Sequence, residues 1–169
     1  KPVPSQLVLF SPWVDLDNFG EDWDGPEYDV DIIRNKPFAK KCAAWYRGDM
    51  ALEEVSPTHF PSLEGFPPTL MLWGGSEILN NQIVQFTAKL KAAGVAVTEM
   101  RFGTMHHVVP LFANTGQPEP IEAIAAVKAF VYGENFNYRV EPAMAEEIEQ
   151  GLKPVVTEDL HVNSAENRV

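Results

Sequence analysis

Two residues that could do chemistry each follow a short apolar run by a few positions. Glu77 follows Thr69-Leu70-Met71-Leu72-Trp73 across Gly74-Gly75-Ser76, and His107 follows the run Val95 to Phe102 across Gly103-Thr104-Met105-His106. A carboxylate after one strand and a histidine after the next is the base-and-orienter half of a Ser-His-acid triad. The imidazole takes the serine proton, and the acid fixes its tautomer and stabilises the imidazolium. The order acid then histidine suits an enzyme whose nucleophile comes earlier in the chain. Each residue also has an ordinary reading. A single histidine is more often a surface or satisfied core residue, and His106 is a rival to His107. Glu77 could be a helix-start carboxylate favoured by the dipole. Position alone leaves these alternatives open.

The elements that must position these residues follow from hydrophobic pattern. Gln6-Leu7-Val8-Leu9-Phe10, stopped by Ser11-Pro12, and Thr69 to Trp73 read as buried strands because they lack alternation. Val95 to Phe102 reads as a third strand. Pro37 to Tyr46 reads as a helix with Phe38, Cys42 and Tyr46 on one face, Cys42 being a core thiol. A second helix starts near Asn80 or Asn81, either of which could cap it. It carries Ile83, Phe86, Thr87 and Leu90 on one face and ends at Gly94. A third spans Pro120 to Tyr132 with Ile121, Ile124, Val127 and Val131 aligned, closed by Gly133. Residues 15–36 and 47–67 read as loop, and 103–118 as a loop holding a short helical turn. The remainder, 134–169, reads as a polar, acidic C-terminal tail with one short helix near Met144 to Glu149. The alternation implies an α/β class with a parallel sheet covered on both faces. Three strands make a thin sheet, and the run Leu7 to Phe10 would be an exposed apolar edge, which natural proteins avoid. The sequence also begins on Lys1 rather than Met. Both features lead us to expect a portion of a longer chain.

Composition removes several function classes. With 24 acidic and 13 basic residues the net charge is −11, so the chain lacks the basic face that nucleic acid or an anionic membrane surface requires. One cysteine, Cys42, cannot build a disulfide framework or a cysteine-rich zinc site. No apolar run approaches the roughly 18 residues of a membrane span.

Three stretches resemble the hormone-sensitive-lipase family of α/β-hydrolases. They are Phe10-Ser11-Pro12-Trp13-Val14-Asp15-Leu16, the run Gly65 to Leu79 containing Gly74-Gly75-Ser76-Glu77-Ile78-Leu79, and Phe102-Gly103-Thr104-Met105-His106-His107-Val108. Ser56-Pro57 resembles that family's Ser-Pro ahead of its Leu-Pro-Pro strand. The resemblance covers about residues 5 to 132. It implies the C-terminal half of an α/β-hydrolase: about three parallel strands with flanking helices, the N-terminal half of the sheet missing. It divides the chain into 1–133, the hydrolase portion, with 15–67 near the substrate pocket, and 134–169, the tail. Glu77 falls on the family's catalytic acid, in the Glu-Ile-Leu form of the branch that includes steryl-ester deacetylases. His107, followed by Val108 after a Gly-x-Met-x run, falls on the catalytic histidine. Trp13, Phe38, Trp45 and Val108 are the pocket candidates, although packing is the commoner reading of these aromatics and of Tyr46, Phe60 and Phe66.

The sequence departs from that family in two places. It contains no Gly-x-Ser-x-Gly elbow, since Gly74-Gly75-Ser76-Glu77-Ile78 fails at its last position, and no His-Gly-Gly-Gly oxyanion motif. Without serine there is no acyl-enzyme, and without oxyanion donors much transition-state stabilisation is lost. The chain alone is therefore expected to be inactive, with the nucleophile in an upstream segment. The complete enzyme is expected to be a serine carboxylesterase or lipase acting on small apolar esters. No cofactor and no metal is expected. The expected partners are the ester and the missing N-terminal half of the domain. Membrane association would come only through upstream sequence, and the implied location is cytoplasmic or endoplasmic-reticulum-associated.

Other motifs carry less. Asp15-Leu16-Asp17-Asn18-Phe19-Gly20 opens like a calcium loop, but Phe19 and Pro26 stand where ligands are required. Asp15 could instead support the site from behind. His106-His107 with Glu77 is a weak option for a metal, because adjacent histidines diverge and there is no His-Glu-x-x-His. Two competing functions remain. One is a non-catalytic binding protein on the same scaffold, as in plant gibberellin receptors, where the histidine is replaced. The other is a truncated remnant that folds poorly.

Overall fold

The computed structural model describes residues 3–20, 23–25 and 31–133. Three parallel strands lie side by side in sequence order, β1 (Leu7–Phe10), β2 (Thr69–Gly74) and β3 (Val97–Phe102). Leu7 pairs with Thr69 and Phe10 with Leu72, while Thr69 pairs with Val97 and Gly74 with Phe102. All three carboxyl ends therefore emerge along one rim of the sheet.

β2 is buried along its whole length because both faces are covered. Its pleat sends Met71 and Trp73 into one core, with Ile83, Phe86 and Leu90 of the helix α3 (Asn80–Ala92). Leu70 and Leu72 enter the other core, with Phe102, Val109 and Ala123 of the helix α4 (Pro118–Tyr132). This is the two-sided α/β layering that the uninterrupted apolar run predicts. β1 has β2 on one side and no described strand on the other, and its residues are half-buried, with Phe10 38% exposed.

Several elements differ in detail from their sequence pattern. The helix α1 (Lys36–Arg47) is capped by Asn35, whose side chain accepts from the Phe38 amide at 3.1 Å. Its buried face is Ala39 and Ala43 rather than Phe38, Cys42 and Tyr46. The small residues let the helix approach closely, which turns Phe38 and Tyr46 outward and leaves Cys42 half-buried rather than in the core. α3 buries the expected face, but neither Asn80 nor Asn81 is its cap. Leu79 holds that position, and the Asn80 side chain accepts from Trp73 Nε1 and Arg101 Nε instead. α4 buries Pro120 and Ala123 and packs Val127, of the expected stripe, and Phe130 beside them, while Val131 of that stripe is exposed. That helix is apolar on most sides, so the sheet selects the stripe with the smallest contact residue. Residues 47–67 contain a short helix α2 (Leu52–Val55) and a 3-10 turn (Pro57–His59). The expected turn in 103–118 is a 3-10 segment, Val109–Thr115. The acidic tail, and the helix expected near Met144, lie outside the described residues. Among the described residues no helix is long and apolar enough to cross a membrane.

Candidate active site

Each of the three strands ends in a segment that turns toward the same point. Open parallel sheets build sites at this rim. Ser11 is the first residue beyond β1, and its amide continues the ladder by donating to the Leu72 carbonyl at 2.8 Å. Gly74 and Gly75 close β2. A Cβ on Gly74 would collide with the Met105 and His106 carbonyl oxygens, and one on Gly75 with that of Gly103. Two glycines therefore let the segment after β3 lie directly on the segment after β2. The Gly75 amide donates to Phe102 at 2.9 Å and the Ser76 amide to Met105 at 3.0 Å, which fixes that approach.

The approach brings Glu77 and His107 together. Glu77 is fully buried, and its Oε2 accepts from the Ser11 hydroxyl at 2.7 Å and from the Gly74 amide at 3.1 Å. His107 Nδ1 lies 3.9 Å from the same oxygen, an ion-pair distance but too long for a hydrogen bond. Glu77 Oε1 and His107 Nδ1 have no hydrogen-bond partner among the described residues. His106 points elsewhere: its ring packs on Phe112 with centroids 4.6 Å apart.

Electrostatics push the pair toward neutrality. Burial raises the Glu77 carboxyl to about 7, opposed by the hydrogen bonds from Ser11 and Gly74 and reinforced by the charge of Asp31. Burial also holds His107 below its ordinary value of 6.5, with Asp31 acting to raise it and His106 to lower it. Asp31 is itself buried, its two oxygens accepting from the Ile33 and Ile78 amides at 3.0 and 2.8 Å. The three acid and imidazole groups thus occupy one shielded region at the strand ends.

A cavity of about 700 Å³ opens beside His107. Trp13, Trp23, Ile33, Phe38 and Leu79 supply most of its apolar wall. Of the pocket candidates, Trp13 and Phe38 line it with His107. Trp45 and Val108 do not, and Trp45 is 72% exposed. A larger cleft of about 860 Å³, between Leu16–Gly20 and the end of α1, is lined by none of the candidate residues. Asp15 pairs with His59 at 3.0 Å, so it is Ser11, at the other end of the same motif, that reaches Glu77.

Sequence reasoning missed three contributors. Ser11 belongs to a strand stop and to the first family-like stretch, and neither singles out its hydroxyl. Asp31 looked like any carboxylate of an acidic loop and carried no distinguishing signal. Gly74-Gly75 follows the apolar run Thr69 to Trp73, and a glycine pair at that rim is itself a sign of close backbone approach.

The geometry has clear relatives. Residues 1–111 match the family model described as the alpha/beta hydrolase fold. An esterase from the bacterial hormone-sensitive lipase family superposes with a TM-score of 0.69 at 33% identity, over 78% of this chain and 44% of that one. An esterase/lipase from an uncultured bacterium gives 0.66 at 30% identity, over 78% and 43%. EstE5, in a crystal soaked with p-nitrophenyl butyrate, gives 0.68 at 30% identity, over 79% and 44%. The chain thus spans less than half the length of the structures it matches. No curated protein sequence matches it.

Proposed function

The chain belongs to the alpha/beta hydrolase fold family, and from that premise we propose that it supplies the histidine and the acid of a serine carboxylic-ester hydrolase. The nucleophile and oxyanion donors lie in a further segment carrying Gly-x-Ser-x-Gly. The observation that carries this reading is the meeting of Glu77 and His107 at the strand ends, beside an apolar cavity. The edge of β1 that no described strand covers is where a strand leading to the serine would add, next to Ser11 and the cavity mouth. In the complete site, His107 takes the serine proton as that oxygen attacks the ester carbonyl. It then gives the proton to the leaving alcohol, and deacylation by water repeats the exchange. Glu77 accepts from the Nδ1–H of His107 and stabilises the imidazolium. The cavity wall of tryptophan, phenylalanine and leucine suits a small apolar acyl or alcohol group. The chain by itself is inactive on this reading.

The test is the polypeptide that contains these residues in its source cells. Its intact mass and upstream sequence should include a Gly-x-Ser-x-Gly elbow, and it should hydrolyse p-nitrophenyl butyrate. Loss of less than tenfold in kcat on His107→Ala would remove the proposal. A ligand-binding role on the same scaffold is the second reading, favoured by the 3.9 Å gap between imidazole and carboxylate. A source polypeptide of 18.8 kDa that binds apolar esters without turnover would select it.

A further inference from the structure

We infer that Ser11 is a positioning residue that decides which oxygen of Glu77 is presented to His107, an inference that deepens the triad reading and rests on it. Ser11 is 3% exposed and its single hydroxyl touches both other strand-end segments. It donates to Glu77 Oε2 at 2.7 Å, and it accepts from the Val108 amide at 2.9 Å. The direction of these bonds is fixed. An amide N–H can only donate and a carboxylate can only accept, so while Glu77 is ionised the Ser11 oxygen accepts from Val108 and its own hydrogen is directed at Glu77. Glu77 Oε2 thus faces two donors, the Ser11 O–H and the Gly74 N–H. A proton on Oε2 would turn the Ser11 O–H away from the carboxyl and would compete with the Gly74 N–H, which can only donate. When Glu77 is protonated, the proton is therefore on Oε1, the oxygen with no partner among the described residues. Oε2, which faces His107 Nδ1, stays an acceptor in both protonation states.

Backbone strain marks the same contact. Ser11, with φ +43°, and Val108, with φ +54°, are the only non-glycine residues at positive φ among the described residues, and they are hydrogen-bonded to each other. A β-branched residue in that region is a genuine outlier. Strain of this kind persists where the surroundings over-determine it. Here it turns the Ser11 side chain back across the end of β2 and sets the chain direction immediately after His107.

The test uses Ser11→Gly, because glycine accepts positive φ and so removes the hydroxyl without the backbone penalty. The groups facing Glu77 are His107, Asp31, Ser11 and the Gly74 amide, and only Ser11 is changed. In the 13C-labelled 169-residue chain, the Glu77 carboxyl should titrate roughly one pH unit higher in the variant. The Val108 amide should exchange its hydrogen at least roughly tenfold faster, having lost its acceptor. Ser11→Ala, which removes only the hydroxyl and keeps the Cβ, should shift the titration in the same direction as Ser11→Gly. A merely structural Ser11 would alter stability while leaving the Glu77 titration in place, and that result would overturn the inference. Should Ser11→Gly not fold, the wild-type chain decides. The Val108 amide shift should then follow the Glu77 midpoint through the intervening hydroxyl, and a flat Val108 response is the overturning result. In the nucleophile-containing enzyme, Ser11→Gly should raise the midpoint of the pH–rate profile in parallel with the carboxyl. If Glu77→Gln left activity untouched there, the triad reading would fail, while the Ser11–Glu77 coupling seen by titration would stand.

Discussion

His107 Nδ1 and Glu77 Oε2 face each other at 3.9 Å across the ends of β2 and β3, in surroundings that disfavour charge on both. The separation is that of a pair awaiting a shared proton. A loose contact of this kind commonly tightens only when the site is completed and occupied. What holds the carboxylate meanwhile is not the imidazole but the Ser11 hydroxyl and the Gly74 amide.

Stability should carry the signature of the buried acid. The Glu77 carboxyl rises from 4.5 to about 7 on folding, so between those values the folded chain binds more protons than the unfolded one. Stability from this group is complete below 4.5 and is lost as pH rises through about 7. The shift corresponds to about 3 kcal/mol. Glu77→Gln removes the ionisation and keeps the shape. In urea melts, the variant's stability relative to wild type should therefore climb by about 3 kcal/mol between pH 4.5 and 8. His107 acts in the opposite sense, because its depressed value means protons are bound preferentially by the unfolded chain below 6.5. That contribution is common to both proteins. A difference that stays flat with pH would mean that Glu77 ionises as if exposed.

The same groups set the expected pH–rate profile of the nucleophile-containing enzyme. His107 is held below 6.5 and so beneath the Glu77 value, which leaves Glu77 as the group that sets the acid side. Glu77 becomes a carboxylate only as pH passes about 7. Activity should rise through that value, on a limb belonging to the coupled pair with Asp31 and His106 beside it. Glu77→Gln should lower kcat/KM by about 10²- to 10⁴-fold. It should also move the remaining limb down to the His107 value. A wild-type limb centred below 6 would show that burial does not raise the Glu77 carboxyl in the nucleophile-containing enzyme.

Much of this arrangement was legible in the sequence, for identifiable reasons. The uninterrupted apolar run Thr69 to Trp73 encodes a strand covered on both faces, and β2 is one. Phe86 and Leu90 repeat with a helical period that matches one buried stripe of α3. Pattern fails where more than one stripe is apolar, as in α4, because then the partner surface chooses. It fails in α1 for another reason: close packing favours Ala39 and Ala43 over larger neighbours, which hydrophobicity ranks the other way. Glu77 and His107 stood out as candidates because side-chain type and strand-end position coincide and the family resemblance falls on both, and the structure brings the two within 3.9 Å. Ser11 and Asp31 escaped because their roles depend on hydroxyl direction and loop path, neither of which leaves a period or a spacing.

The glycine pair should be the least replaceable feature of the site. Gly74→Ala would drive a methyl group into the Met105 and His106 carbonyl oxygens, which are backbone and cannot turn aside. Gly103→Ala, by contrast, meets nothing within 4 Å at an ordinary φ. Gly74→Ala should destabilise the chain by about 2–4 kcal/mol or prevent folding, and Gly103→Ala should change it by less than about 1 kcal/mol. Thermal denaturation of the two variants side by side checks this. Equal, small effects would show that the contact between the two strand-end segments is not tight.

The cavity wall separates residues that serve substrate from those that serve the core. Phe38 lines the cavity yet is 56% exposed, so truncating it removes little buried area. Trp13 lines the same cavity but packs edge-on against Phe19 at 5.9 Å and donates its indole N–H to the Asp15 carbonyl. Trp45 stands on α1 away from the cavity. In the nucleophile-containing enzyme, Phe38→Ala should raise KM for an apolar p-nitrophenyl ester by about three- to tenfold with the melting temperature nearly unchanged. Trp13→Ala should raise KM and also cost about 2–4 kcal/mol of stability. Trp45→Ala should do neither. Because all three are aromatic and lie within one stretch of chain, hydrophobicity alone predicts similar effects. A KM change in Trp45→Ala equal to that in Phe38→Ala would place the ester outside the cavity beside His107, and with it would go the link between this pocket and the proposed chemistry.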